Sequence, residues 1–553
     1  MNKFLKFLKG MSNKWKIAIN IVIPLLVTLY IWYFDLPPIN IYSQQMWSSL
    51  SFIVVLSVVL YVLLFKKGVR VEKGKISFRA LLVPIIIVLI IPAFMLVANI
   101  ASSTFFNAKK YAGIIKVDNE KFEDDMLIAD ATTVTNIALM DTASAVIKGK
   151  TALGSLSDLV SQFTVGDYYT QINYANTPQK VSNLEYDGFF KWINNRETGI
   201  PGYIMVDPVN NTAKYVKLAQ PMKYAESGLF SDDLLRKLRF SYPTKIFDSI
   251  SFEIDENGDA FYIVSCAKPK VGLFGAMDIN EVIIFNPVDG SSKLYDLKDV
   301  PSWVDIVFTG NLACEKYNWY GTLSGGFWNS VIGNRDCKRT TDDFGYVVIG
   351  DDVWYFTGVT SVTSDTSNIG FILNNGRTGQ YKYYSVIGAD EASAMGSAEG
   401  QVQEKGYTAS FPTLINVSGQ ATYIMALKDV NGIVQLYALV NVENYAFAAT
   451  GATQTEAFNA YKKLLVDNKI IGVQGDNENK PSVELVVEDV RIVDLNGDTV
   501  VYISDAEGKV YKGRLDIDEE LIIVRKGDKL KIVYTDSEIE RLFNISSWEF
   551  VKE

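Results

Sequence analysis

The chain opens with three uninterrupted apolar runs, residues 17–34, 47–65 and 80–101, none of which contains an Asp, Glu, Lys or Arg. Each approaches the ~20 residues that a helix rising ~1.5 Å per residue needs to cross a hydrocarbon core of roughly 30 Å. Pro24, Pro84 and Pro92 lie inside these runs. Within a membrane span such prolines predict kinks rather than breaks. Lys3, Lys6, Lys9, Lys14 and Lys16 ahead of the first run resemble the charged start of a cleaved secretion signal. Two further spans follow, however, with no small-x-small cleavage site before them, so a retained anchor of three transmembrane helices over residues 1–102 is the expected arrangement.

Past residue 102 the period changes. Met126, Ile128, Val134, Ile137, Leu139 and Met140 recur at spacings of three and four, which predicts a mostly helical segment over 122–159 within a helical stalk at 103–160. From about Phe163 the pattern becomes one of strands, rich in Tyr, Val, Ile and Thr and punctuated by Asn-Gly, Asp-Gly and Asn-Asn turns. Short helical stretches at 186–195 and 232–240 interrupt it.

One hairpin pattern recurs. Residues 204–214 (IMVDPVNNTAK) match 283–293 (IIFNPVDGSSK), and Leu218 matches Leu297 at the same offset of 79. Each copy reads as a strand, a turn that tolerates positive φ, and a returning strand. A looser third copy at 423–440 turns at Asn431-Gly432, with no more in common than any hairpin has. Helix plus antiparallel hairpin, duplicated, predicts α+β modules over 161–310. A hairpin of this form after a helix resembles PepSY modules of bacterial envelope proteins. The longer run from Gly199-Ile200-Pro201-Gly202-Tyr203 to Pro301-Ser302-Trp303-Val304-Asp305 resembles uncharacterised multi-span membrane proteins of low-GC Gram-positive bacteria. The resemblance implies a ligand- or protein-binding module on the outer face of the membrane and carries over no catalytic residue.

Residues 311–472 read as a Gly- and aromatic-rich α+β domain ending in a helix at 453–466, capped by Thr453 or Thr455. Cys314 and Cys337 bracket its first part. Outside the cytoplasm they would form a disulfide, contributing roughly 3 kcal/mol; otherwise they are free thiols. Cys266 alternates as a buried strand residue. After a polar linker at 475–481, residues 482–536 give four or five strands joined by Asn496-Gly497, Glu507-Gly508 and Gly527-Asp528. These predict a small antiparallel β-barrel of SH3-like or OB-like kind, followed by a C-terminal tail at 537–553. The fold class is thus a membrane-anchored α+β protein.

Charge orients the anchor. Residues 1–102 hold 11 Lys+Arg against 2 Asp+Glu, leaving 42 and 61 to the remainder, a balance of +9 against −19. The cations precede the first span or lie at Lys66, Lys67, Arg70, Lys73, Lys75 and Arg79, while residues 35–46 hold neither Lys nor Arg. The positive-inside rule places the N-terminus in the cytoplasm and everything after about residue 102 outside it, at the plasma membrane. The spans themselves hold no ionisable residue of the kind that marks an ion path. So acidic an outer region repels phosphate backbones, which argues against nucleic acid as a partner.

Chemistry is narrowed further by the absence of histidine. The usual Ser-His and Cys-His pairs and the imidazole metal ligand are excluded, and three cysteines cannot build a four-thiolate zinc site. Asp255-Glu256-Asn257-Gly258-Asp259 and Asp494-Leu495-Asn496-Gly497-Asp498 resemble the start of a calcium loop, but their sixth residues, Ala260 and Thr499, are not glycine; hairpin turns account for them better. No pattern calls for a cofactor or a resident metal, and residues 388–400 lack the glycine spacing of a phosphate cradle. Carboxylate pairs such as Glu391 with Glu399, or Asp351 with Asp352, fit a histidine-free glycosidase or a solvated surface. Trp319, Phe327, Trp328, Trp354 and Tyr355 fit a sugar- or peptide-binding groove, or a core.

The expectation is therefore a membrane-tethered binding, scaffolding or assembly protein of the cell envelope. Its partners would be the lipid bilayer, envelope proteins or glycans, as a homo-oligomer or in a larger complex. A membrane-anchored, carboxylate-based hydrolase of envelope glycans, and a subunit of a larger membrane machine, are the alternatives.

Overall fold

The computed structural model describes residues 11–65, 71–72, 75–76, 79–122, 126, 128–130, 133–341, 343–468, 470, 481–495, 498–515, 519–537 and 541–551. The Asn496-Gly497 turn and all but Pro481 of the polar linker fall outside them. Three helices are long and apolar enough to cross a membrane: α1 (Asn13–Phe34), α2 (Gln44–Phe65) and α3 (Arg79–Ser102). Pro24 in α1, and Pro84 and Pro92 in α3, sit inside continuous helix. α1 packs on α2 and α2 on α3, and most of their apolar side chains face outward, as lipid-facing helices require.

The anchor's far end is joined to the rest of the chain. After α4 (Thr104–Ala112), the described residues of the segment expected to be helical include a 3₁₀ turn at Thr133–Asn136, then α5 (Thr142–Gly154) and the one-turn α6 (Ser157–Val160). Its apolar spacing before α5 serves another purpose. Ile128 bridges to Asn416, the Ala129 N–H donates to the Asn416 carbonyl, and Val134, Ile137 and Leu139 fill a seam between a sheet and a later helix. An extended chain packed against a sheet edge uses the same apolar residues as a helix would.

Four antiparallel sheets follow in chain order. The first comprises Phe163–Val165, Thr170–Tyr174, Thr177–Tyr186, Ile200–Asp207 and Thr212–Met222, with α7 (Phe189–Asn195) between its middle strands. After α8 (Leu234–Ser241) comes the second, a meander of Ile246–Ile254, Ala260–Val271, Gly275–Phe285 and Ser292–Asp296. α9 (Gly310–Leu323) leads into the third, built on Asp352–Ser361, Ser364–Asn375 and Tyr381–Tyr384, with Lys338–Thr340 and Gly345–Ile349 both pairing with its first long strand. Strand Val117–Glu120 joins this sheet in parallel at Tyr381–Tyr384. α10 (Glu391–Gly400) precedes the fourth, in which Thr408–Ala409 and Thr413–Val417 both pair with Gln420–Lys428, followed by Val434–Asn441 and Ala448–Gly451. In the first, third and fourth sheets a helix thus precedes an opening strand broken into two pieces.

The sheets pack in two face-to-face pairs. Val181, Leu184, Tyr203 and Ile204 of the first meet Phe252, Tyr262, Val264 and Phe285 of the second. Phe356, Phe371 and Leu373 of the third meet Leu414, Tyr423, Met425 and Val440 of the fourth, with Ala394 and Ala398 of α10 in the same core. The outer face of the fourth sheet is covered by α11 (Gln454–Asp467), whose N-cap Thr453 accepts from the Glu456 N–H, as its sequence predicts.

The duplicated hairpin occupies equivalent places. Residues 204–214 turn between the third and fourth strands of the first sheet, and 283–293 do so in the second. Asn211 and Gly290 supply the positive φ at the two turns (56° and 76°). The second copy follows two strands rather than a helix, so helix plus hairpin is not its local unit. The looser copy at 423–440 pairs Gln420–Lys428 with Val434–Asn441, one strand earlier in its sheet, and is not equivalent to the other two.

The C-terminal unit differs from the barrel expected. Its strands run in the order Ser482–Val486, Lys529–Asp536, Leu542–Phe550, Val510–Arg514, Asp498–Ser504 and Asp489–Leu495, an open sheet of six, not a closed barrel. Nor is it wholly antiparallel, since Leu542–Phe550 pairs in parallel with Val510–Arg514. Residues 542–550 are therefore an inner strand and not a tail. The register of their antiparallel pair shifts between Val533 and Tyr534, opposite Ser547 and Ile545. The extra residue at this bulge moves the inward set from Phe543 and Ile545 to Trp548, which hides the alternation in the sequence.

Candidate functional site

The sequence's candidate aromatics fall into two separate groups, Trp319, Phe327 and Trp328 in one and Trp354 and Tyr355 in the other. Trp319 and Phe327 pack with Tyr111 of α4, and Trp328 lies exposed beside Phe105. Trp354 and Tyr355 are neighbours on one strand, so they point to opposite faces of the third sheet, into separate cores. Cys314 and Cys337 are both free thiols. Cys337 Sγ lies 3.4 Å from the Thr322 carbonyl at the far end of α9. That point is eight residues along the helix from Cys314, a rise of ~12 Å, whereas disulfide-linked Cα atoms lie within about 7 Å.

The candidate carboxylates are likewise dispersed. Glu391, in the first turn of α10, is buried and accepts from the Gly358 N–H at 2.6 Å; burial raises its carboxyl to about 7. Glu399, just over two turns on, accepts instead from the Ala409 N–H at 2.9 Å. Asp352 is held by Arg377, whose Nε donates to Oδ1 at 2.8 Å, and by Asn375; Asp351 accepts from Asn173 Nδ2 at 3.2 Å. Asp255 forms a hairpin turn by accepting from the N–H groups of Asn257 and Asp259.

A buried acidic pair escaped the sequence reading. Glu253 ends a strand of the second sheet, and Asp305 lies in the crossing from the second sheet to α9. The Asp305 N–H donates to Glu253 Oε2 at 2.8 Å and the Ile306 N–H to Oε1 at 3.1 Å, while Ser251 Oγ donates to Oε1 at 2.9 Å. Asp305 in turn accepts from the Asn173 N–H of the first sheet at 2.8 Å, and the N–H groups of Val307 and Phe308 donate to the Gly376 carbonyl of the third. Burial raises both carboxyls, and the charge of Glu253 raises Asp305 further. Two carboxyls with amides on their lone pairs, closed off from solvent, tie three sheets together. A glycosidase needs its pair on either side of an open cleft. Only long-range pairing identifies this cluster, and no local motif announces it.

The concave polar feature is elsewhere. A cleft of about 650 Å³ lies between α7, the first sheet and the turn before α8, lined by Arg196, Thr198, Gln220, Lys223, Ser231 and Asp232. Arg196 Nε lies 3.8 Å from Asp232 Oδ2, and its guanidinium sits over the Trp192 ring, 4.9 Å from the centroid. Asp232 Oδ2, in this lining, lacks a hydrogen-bond partner among the described residues, as do Trp192 Nε1 and Tyr186 Oη in the core of the first sheet pair. Buried polar atoms are otherwise almost always paired, so an unpartnered one beside a cleft marks room for water or a polar ligand. The donors and acceptor suit a hydroxyl-rich or zwitterionic group, held by hydrogen bonds with the Trp192 ring beneath. Among the described residues no group of three or more Cys, Asp or Glu side chains is placed to hold a metal ion.

No protein-family model matches the chain. No curated protein matches it either. Among solved structures, a mutant of the Bombyx mori GH32 β-fructofuranosidase BmSUC1, in complex with sucrose, aligns with 72% of this chain and 69% of its own at 10% identity and a TM-score of 0.17. A likeness at that level carries no argument about fold or activity.

Proposed function

We propose that this protein is a membrane-tethered binding and scaffolding module of the cell envelope, with its N-terminus in the cytoplasm and the chain after about residue 102 outside. The observation that carries the reading is the contrast between the two polar sites. The acidic pair is closed and spent on backbone amides, whereas the cleft at Arg196 and Asp232 is open and leaves the buried Asp232 Oδ2 without a hydrogen bond among the described residues. Support also comes from the joint between anchor and body. Arg236 Nε donates to the Tyr33 carbonyl at 3.0 Å and Arg239 Nε to the Leu36 carbonyl at 2.9 Å. The Ile39 N–H donates to the Pro243 carbonyl at 2.7 Å, and the Leu273 N–H to Ser102 Oγ at 3.0 Å. These bonds hold the sheets at a fixed height and angle above the α1–α2 connection, which suits a scaffold presenting a binding face. Envelope proteins or glycans are the partners, and the PepSY-like hairpins belong to this reading as binding modules.

The test is isolation of the native complex from membranes in mild detergent. A partner that copurifies with the full chain and is lost from Asp232→Asn and Arg196→Ala supports the reading. Recovery as a lone monomer that turns over envelope glycan overturns it in favour of the hydrolase. Orientation is checked in intact cells with Val430→Cys: labelling by a membrane-impermeant maleimide is expected, and labelling only after lysis reverses the topology.

A further inference from the structure

Exposed large apolar side chains such as Tyr168, Ile387 and Val430 are scattered over the body, but two contiguous patches of them are continuous with the ends of membrane spans. Beside the end of α1, the Phe240 ring of α8 stacks on Trp32, with centroids 4.8 Å apart and planes inclined by 12°, and lies 6.3 Å from Tyr33. The Arg236 guanidinium sits 4.3 Å from the centroid of the Tyr33 ring. From there the apolar surface runs through Leu235 and Phe230 to α7, where Trp192 links Phe230 to Phe189 at centroid distances of 5.7 and 6.0 Å. Phe190, 76% exposed, and Ile193 complete this patch. Beside the end of α3, Phe105 and Phe106 follow Ser102 within one turn. Phe105 lies 4.9 Å from Phe327 and 5.9 Å from Trp328, and the π-helical turn Asn329–Gly333 adds Val331 and Ile332, the latter 72% exposed.

Both patches lie at one level. The ends of α1 and α3 are joined through the start of α2: the Trp47 ring is 4.7 Å from Phe94, Gln44 Nε2 donates to Asn99 Oδ1 at 3.1 Å, and Gln45 Nε2 donates to the Asp35 carbonyl at 2.9 Å. Charge follows the same geography. The chain beyond residue 102 has a balance of −19, yet α4 carries Lys109 and Lys110 with no acidic residue, and α7 and α8 add Lys191 and Lys237 with none, their Arg236 and Arg239 being buried against the Tyr33 and Leu36 carbonyls. Aromatic rings flanked by Lys and Arg are what the headgroup layer of a bilayer selects: the ring sits at the boundary and the cation reaches the phosphates. A contiguous exposed patch of this kind would otherwise be an aggregation surface.

We propose that the body rests in the bilayer's interfacial layer through these two patches, on the leaflet that α1 and α3 reach at Phe34 and Ser102. The membrane is thus a ligand of the folded body as well as the solvent of the anchor. The contact depends only on body and connection lying on one side, so it stands whichever way the anchor is oriented. It would bring the cleft at Asp232, next to Phe230, within reach of the membrane surface.

The test uses the full chain in nanodiscs of phosphatidylcholine with a minority of phosphatidylglycerol. Nitroxide labels are placed by Phe190→Cys, Phe230→Cys and Ile332→Cys, with Val430→Cys, 96% exposed and on a hairpin of the fourth sheet, as the aqueous reference. The signal of the parent chain, from Cys266, Cys314 and Cys337, is subtracted. Labels at 190, 230 and 332 are expected to collide with oxygen more than with a water-soluble nickel chelate, and the label at 430 to show the reverse. A patch whose labels read like 430 is overturned as a membrane contact, and both reading so overturns the proposal. Melting temperatures equal to the parent's establish that each labelled chain is folded.

Discussion

The two sheet pairs are built with the same device and differ in how completely it is satisfied. In the first pair Asn183 Nδ2 donates across the interface to Tyr262 Oη at 3.1 Å; in the second Asn368 Nδ2 donates to Tyr423 Oη, also at 3.1 Å. Each pair therefore carries one buried amide–phenol strut between its sheets. In the first, Asn183 also donates to Glu185, which is fixed by the N–H and Oγ of Ser227. In the second, Asn368 Oδ1 has no partner among the described residues, and Tyr423 Oη donates on to the Ala389 carbonyl at 3.2 Å. The first pair also holds Glu253, which reaches out to the crossing at Asp305 and Ile306; the second holds Glu391, which fastens a single amide within its own pair. The same architecture thus carries a coupling role near the membrane and a closed core farther along.

The largest difference should appear on deleting the two carboxylates. Glu253→Ala strands two buried amides, those of Asp305 and Ile306, and each unpaired group costs ~1–3 kcal/mol, so a loss of roughly 2–6 kcal/mol is expected. Glu391→Ala strands the Gly358 amide and should cost about half as much. Thermal unfolding of the full chain in detergent, followed by tryptophan fluorescence, measures both. Equal losses would remove the coupling role assigned to Glu253.

Protonation sharpens the same contrast. Burial raises Glu391 from 4.5 to about 7, so the folded state binds its proton more tightly than the unfolded state does. Its contribution is then fully present below about pH 4.5 and is lost as pH rises through about 7. Glu391→Gln should flatten the fall in stability over that window, an effect of about 3 kcal/mol. The Glu253–Asp305 pair is raised in the same direction, so the variant should retain a residual fall at higher pH. A melting temperature that rises with pH across this window in the parent chain would contradict the assignment for both.

The struts give the next effect. Tyr423→Phe leaves Asn368 without any partner and frees the Ala389 carbonyl, for ~1–3 kcal/mol. Tyr262→Phe leaves Asn183 still bonded to Glu185 and should cost less. The reverse order would mean that the unpartnered Asn368 Oδ1 is not a weakness of the second pair.

What the sequence made legible follows from the range of each interaction. The spans, α7, α8 and α11 with its Thr453 cap, and the equivalence of the two duplicated hairpins rest on residues within a few turns of one another. Of the helical segment expected over 122–159, α5 and α6 are present; the part before them differs where apolar spacing of three and four also suits an extended chain bridging to the strand at 413–417. The strand at 542–550 read as a tail because Ser546 enters as an extra residue and shifts its alternation, and with it in the middle the expected barrel is an open sheet. Of the site, the aromatics were legible as a groove or a core, and Trp354 and Tyr355, alternating across one strand, take the core alternative. Glu253 and Asp305 are 52 residues apart, and Asp232 with Trp192 meets Arg196 only through a folded turn. No local pattern carries such partners.

The smallest effect concerns the join between the two pairs. Asn211, at the positive-φ turn of the first duplicated hairpin, donates from Nδ2 to Tyr437 Oη of the fourth sheet at 3.1 Å. Its counterpart in the second copy, Gly290, has no side chain to offer, so the duplication diverged at the residue that reaches across. Asn211→Gly keeps the turn and removes the bond, and should cost no more than ~0.5–1.5 kcal/mol. The ion pair of Asp141 with Lys428 and the Ser144 hydroxyl on the Gly432 carbonyl remain to hold the same seam. Combined with Lys428→Ala the loss should exceed the sum of the singles, because the second removal opens a contact that the first left closed. Strict additivity would instead mean that the two sheet pairs meet there without cooperating, and that the crossing at Glu253 alone couples them.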